Sequence, residues 1–139
     1  MEPRWMLLPM FAQTLLTFGV MQLARTRRFK AVKGGKVSGA YFKTMEGPKP
    51  PREVLQSDQL VLNFFETPIL FYVVCLAAMV LNLVDPVLLG LGTTFVLVRT
   101  WHAQVKLTHN KLGKRALVFI ISLLVISLMW VWLLALAFA

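Results

Sequence analysis

A few polar side chains stand in an otherwise apolar chain, each a group that hydrocarbon does not tolerate alone. Asn63 and Glu66 lie inside Asp58–Val80, a run long enough to cross a bilayer. An ionised carboxylate at that depth needs a cation or a water-filled cavity. A later segment supplies cations: Arg99, His102 and Lys106 recur at helical spacing on one face. Gln59 extends the stripe of Asn63 and Glu66 by one turn, and Arg115 follows a short basic connection. Two chemistries fit these residue types. Glu66 and Arg99 form a structural ion pair that fixes the register of two helices, or the stripes face each other around a cavity open to the aqueous side. Such a cavity would offer a carboxylate, amides, an arginine and a histidine to a small zwitterionic or anionic ligand. No metal is expected, because His102 and His109 are about two helical turns apart with no third ligand. No serine or cysteine nucleophile has a base beside it, and Cys75, the single cysteine, sits in an apolar run as packing.

The elements that position these groups follow from composition. With 139 residues, 58% hydrophobic, 15% charged and a mean hydropathy of +0.69, the chain is an integral membrane protein rather than a soluble domain. Four helices are expected, over about 6–24, 51–82, 86–109 and 115–138, in a single membrane domain. Pro50–Pro51 and Asp85–Pro86 mark two of the starts. The connection 25–50, basic and broken by Gly34–Gly35 and Gly47–Pro48, reads as a loop.

Charge sets the orientation. Nine of the fifteen Lys and Arg fall between Arg25 and Arg52, and the turn before the last helix is also basic, whereas the turn at Asp85 is acidic. The excess of basic residues puts both basic loops in the cytoplasm and both termini outside. A net charge of +9 clustered beside apolar runs suits anionic lipids and not nucleic acid. At 1.5 Å per residue, Glu66 and Arg99 both come to lie about 10 Å below the cytoplasmic boundary, which is the basis for expecting them to pair.

The run Asn63-Phe-Phe-Glu66-Thr-Pro68 with Phe71 after it, then Arg99-x-x-His102 and Thr108-x-Asn110, resembles the MAPEG family, membrane-associated proteins of eicosanoid and glutathione metabolism. The likeness is greatest to its bacterial branch, which implies an inner-membrane location. It further implies an all-α, four-helix bundle protomer, a homotrimer, and glutathione bound between protomers near the cytoplasmic boundary. Asn63 and Glu66 correspond to residues that contact glutathione in the family, and Gln59, His102 and Lys106 extend that ligand-binding set. An arginine that stabilises the thiolate would be catalytic, with Arg99 and Arg115 both open. The expected activity is that of a glutathione transferase or peroxidase acting on a lipophilic small molecule. The chain departs from active eukaryotic members at Gln59, where they have arginine, at Thr67, where they have tyrosine, and near His102, where they have a second tyrosine. The alternative is a non-catalytic structural, lipid-binding or interaction component of the membrane.

Overall fold

The computed structural model describes residues 1–139, which form helices and no strands. A single 3-10 turn, Pro3–Met6, leads into α1 (Leu7–Lys33); α2 (Tyr41–Thr44) is one turn within the long connection; α3 (Arg52–Val80), α4 (Pro86–Leu107) and α5 (Leu112–Phe138) complete the chain. Three segments are long and apolar enough to cross a membrane, namely Pro3–Lys33, Arg52–Val80 and Leu112–Phe138. The second half of α4 is less apolar because it carries Arg99, His102, Gln104 and Lys106.

Two expectations need correction. The first helix does not stop near residue 24 but continues to Lys33, so that part of the expected loop 25–50 is helical, and α2 adds another turn. Arg25–Lys33 contains no glycine or proline to interrupt helical hydrogen bonding, and Lys30 and Lys33 sit at the negative end of the helix dipole. The break comes at the glycine pair. Lys36 N–H bonds to Ala31 C=O at 2.9 Å and Gly35 N–H to Val32 C=O at 3.1 Å, with Gly35 at φ +67°, a Schellman ending that glycine adopts without a Cβ clash. The last connection is also shorter than expected, since α4 ends at Leu107 and α5 already begins at Leu112.

The opposite end of the bundle is held by Asp85. One of its carboxylate oxygens accepts the Leu88 N–H at 2.8 Å, capping α4, and the other accepts Trp132 Nε1–H from α5 at 2.9 Å. Asn82, at φ 57°, ends α3 in the same Schellman pattern, with Leu83 N–H bonded to Ala78 C=O at 2.9 Å. Between α1, α3, α4 and α5 this end is filled by Met6, Phe71, Leu88, Phe95 and Met129, with the Phe71 and Phe95 rings stacked at 4.5 Å.

Toward the basic end the core is smaller: Val20, Leu60, Phe64 and Ala103. Here polar contacts take over. Arg28 Nε donates to Asp58 at 2.8 Å and Arg27 Nη1 donates to Glu53 C=O at 3.0 Å, clamping the extension of α1 onto the first turns of α3. Many large apolar side chains remain on the outside, among them Phe11, Phe18, Leu62, Phe65, Ile69, Leu97 and Leu124. An apolar exterior of this extent is what lipid or neighbouring subunits cover.

Candidate functional site

The helical repeat of α3 separates its polar residues. Its buried face carries Ser57, Leu60, Phe64, Thr67, Phe71 and Cys75. Glu66 lies about 145° from the centre of that face at 100° per residue, so it is directed away from the protomer core. Asn63 stands on the flank, half-buried, and Gln59 is exposed beside Glu66. Pro68 is buried within α3 and leaves the helix without the backbone donor that would bond to Phe64 C=O.

This geometry overturns the expected pairing of Glu66 with Arg99. The only ion pairs are Arg4 with Glu2 and Arg28 with Asp58. Arg99 is fully buried between α3 and α4; its Nη2 donates to Asn63 C=O at 3.0 Å, and the guanidinium carbon lies 4.5 Å from the centre of the Phe64 ring. In depth the two charged groups do match, since Asn63 is less than one turn from Glu66; in azimuth they do not. Arg99 enters from the inner side of α3 and meets a carbonyl and an aromatic face; Glu66 is on the outer side. Arg99 Nε and Nη1 have no hydrogen-bond partner.

His102 belongs to the same closed region. It is 1% exposed, its Nδ1 lacks a partner, and its ring lies 5.8 Å from that of Phe119 on α5. His109 is exposed at the end of α4, so the two histidines do not converge, and no cluster of three metal-ligating side chains exists. Cys75 is buried in the apolar core.

A second polar group opens to the outside. Gln59, Leu62, Asn63 and Glu66 of α3, Lys106 of α4 and Arg115 of α5 line a shallow depression of about 320 Å³. Lys106 crosses from the interior, its Nζ donating to Gln59 Oε1 at 2.8 Å, and Arg115 Nη1 donates to Asn110 Oδ1 at 3.0 Å, which braces the connection between α4 and α5. Of the residues expected from the sequence, the structure therefore brings together Gln59, Asn63, Glu66, Lys106 and Arg115. It places Arg99 and His102 behind them, out of the depression. The depression offers one carboxylate, two amides and two cations, the complement of a small molecule bearing both an ammonium and carboxylates.

Three polar contacts lie outside the sequence expectations: Arg28 with Asp58, the Phe64 ring under Arg99, and Thr14 Oγ1 with Tyr72 Oη at 2.9 Å between α1 and α3. The first had a signal, because Arg28 and Asp58 are opposite charges at the same ends of two successive apolar runs. The tyrosine contact had none, since Tyr72 reads as one aromatic among many.

Apolar helices wrapped around a small polar interior, with a mixed-charge depression at the basic end, define a helical integral membrane protein. Within that class the chain belongs to the MAPEG family, whose model matches residues 5–135. No curated protein and no solved structure matches it.

Proposed function

We propose that the protein binds glutathione, or a small thiol of similar charge pattern, in the depression lined by Gln59, Asn63, Glu66, Lys106 and Arg115, and that it transfers the thiol to a lipophilic electrophile or uses it to reduce a lipid peroxide. The observation that carries this reading is the meeting of Glu66 with Lys106 and Arg115 around one opening. Glu66 receives the ligand ammonium, Lys106 a ligand carboxylate, and Asn63 a peptide group. Arg115 is the arginine that stabilises the thiolate, in preference to Arg99, because Arg115 lines the opening and Arg99 is sealed behind Asn63 and Phe64. A guanidinium beside the sulfur favours the ionised thiol, whose proton leaves to water; the sulfur lone pair then forms a C–S bond as the electrophile's leaving group departs with its electron pair, or breaks the O–O bond of a peroxide to give an alcohol and a sulfenic acid that a second thiol converts to the disulfide with loss of water.

The site requires more than one protomer. Glu66, Leu62, Phe65 and Ile69 share an exposed surface of α3 within an apolar segment, and a carboxylate facing lipid there is costly. A homotrimer with α3 at the subunit contact, each protomer contributing a four-span bundle, would cover it. The basic end then faces the cytoplasm of a bacterial inner membrane, with both termini external.

Calorimetric titration of glutathione into the detergent-solubilised protein, together with ultraviolet detection of bound thiolate, tests the proposal. Saturable binding with a thiolate signal that Arg115→Gln removes is expected. Binding without a thiolate signal in the unaltered protein supports a non-catalytic role, which the placement of both tyrosines favours: Tyr41 is buried in α2 and Tyr72 is engaged with Thr14. Absence of any binding rejects the thiol assignment.

A further inference from the structure

Arg115 stands in the first turn of α5, at the positive end of that helix's dipole, where a cation is disfavoured. Its backbone N–H is engaged with Lys111 C=O at 2.9 Å, and Lys111, in the cap position, offers no side-chain bond to the start of the helix. Asn110 precedes it and carries a side chain of the kind that caps helices. The amide is used otherwise: its Oδ1 accepts from Arg115 Nη1 at 3.0 Å. Asn110 also turns the chain out of α4. Its N–H bonds to Val105 C=O at 2.9 Å and its φ is 46°, a left-handed conformation that asparagine enters more readily than other residues with a Cβ. One residue therefore makes the turn between α4 and α5 and holds the arginine that lines the depression. Arg115 is half-buried, and its Nε and Nη2 make no hydrogen bond with protein.

We propose that Asn110 is the positioning residue for the thiolate: by holding one terminal nitrogen of Arg115 it fixes the guanidinium at the opening and leaves Nε and Nη2 to the sulfur. The inference rests on the thiol reading of the depression and adds the residue on which Arg115 depends. Asn110 is not part of the lining, so it acts through Arg115 and not by touching the ligand. An unheld arginine side chain samples many rotamers, and from a half-buried place most of them lead into water. The neutrality of the acceptor is part of its role. A carboxylate at this position would hold the guanidinium as firmly but offset its charge, and with it the pull on a thiolate. Glycine would keep the left-handed turn and hold nothing. The other charged groups at the opening are Glu66 of α3 and Lys106 of α4, and the connection itself carries His109, Lys111 and Lys114, all three exposed; none of the five bonds to Arg115.

Absorbance of the bound glutathione thiolate, followed against pH in detergent, tests the inference together with the affinity for S-methylglutathione, which has no ionisable thiol. Asn110→Gly should raise the midpoint of thiolate formation by about one unit, so that about tenfold less thiolate forms at pH values below it. Affinity for S-methylglutathione should stay within about twofold, because Asn110 touches no ligand. Asn110→Asp keeps the bond to Arg115 but should also raise the midpoint, through the charge it places beside the guanidinium. Glycine and aspartate both accept the left-handed turn, and a circular dichroism melt of each variant checks that the fold is kept. Equal losses for the two ligands in Asn110→Gly would make Asn110 a shaper of the depression and overturn the proposal. A thiolate titration in Asn110→Gly that matches the unaltered protein would overturn it while leaving the thiol reading in place. A midpoint in Asn110→Asp at or below that of the unaltered protein would overturn the argument for a neutral acceptor. No thiolate in the unaltered protein would remove the thiolate reading of Arg115 and this inference together.

Discussion

The interior and exterior faces of the α3 helix at the basic end carry similar polar chemistry toward opposite purposes. On the inside, Arg99 meets the Asn63 carbonyl and the Phe64 ring, and His102 is packed near Phe119, all shut away from solvent. On the outside, less than a turn away, Glu66, Gln59 and the Asn63 side chain face an open depression shared with Lys106 and Arg115. The inner cation has no carboxylate and the outer carboxylate has no ion-pair partner. Keeping them apart leaves the outer groups free to engage a ligand, while the inner arginine ties α4 to α3 and holds Asn63 in position.

The largest effect should come from breaking the inner side. Arg99 is the largest fully buried side chain in the molecule, so Arg99→Ala opens a cavity between α3 and α4 and should cost about 2–4 kcal/mol. Arg99→Met keeps most of the volume and removes a charge whose Nε and Nη1 are unpartnered. That variant should be near neutral or more stable, as when buried ionic groups are replaced by apolar ones of similar size. Denaturant titrations in detergent give both values. If Arg99→Met unfolds the protein as readily as Arg99→Ala, the arginine contributes more than volume and one carbonyl contact. If Arg99→Met is stable but loses all thiol binding, the division between inner and outer sides is wrong.

Much of this is legible in the residues themselves. Apolar run lengths mark the long helices, the proline and aspartate signals mark the starts of α3 and α4, and the helical period of Gln59, Asn63 and Glu66 places them on neighbouring positions of one helix. Relative position along the bundle is also readable, because rise per residue is fixed, and Arg99 does reach the carbonyl of Asn63, less than one turn from Glu66. Direction around the helix axis is not. Which face of α3 turns inward is decided by packing of Leu60, Phe64 and Phe71 against the other helices, and in a segment apolar on all sides the sequence does not mark that face. The same ambiguity hides the Phe64 ring as the partner of Arg99. The continuation of α1 to Lys33 is hidden for a different reason: a change from apolar to basic residues marks a change of solvent, not the end of a helix.

On the outer side the effects should be smaller in stability and larger in binding. Glu66→Gln removes a charge that makes no ion pair within the protomer, so unfolding should change by less than about 1 kcal/mol. Thiol affinity should nevertheless fall about tenfold or more, because a charge-assisted contact with the ligand ammonium is lost. Arg115→Gln loses the bond to Asn110 Oδ1, a partly exposed contact worth at most about 1 kcal/mol, and should affect the bound thiolate more than affinity. Isothermal titration and thiolate absorbance on both variants separate these roles. Equal loss of affinity and thiolate in both would merge the two residues into one function.

The smallest and most discriminating effect concerns Lys106, the one side chain that belongs to both sides. It is 3% exposed, rises from the interior of α4, and reaches the depression through its 2.8 Å bond to Gln59 Oε1. If that bond serves the fold, Gln59→Ala and Lys106→Met should each lower stability, and a double-mutant cycle should give a coupling of about 1 kcal/mol in unfolding. If it serves the site, Gln59 holds the ammonium ready for a ligand carboxylate, and the coupling should appear in thiol affinity instead. Gln59→Ala alone would then free Lys106 to bend away from the opening. We expect the coupling mainly in affinity, because Gln59 is exposed and removing it uncovers no apolar surface, whereas an ammonium without its amide loses its orientation toward the depression. A coupling seen only in unfolding would assign Lys106 to the inner side with Arg99 and leave Glu66 and Arg115 to hold the ligand between them.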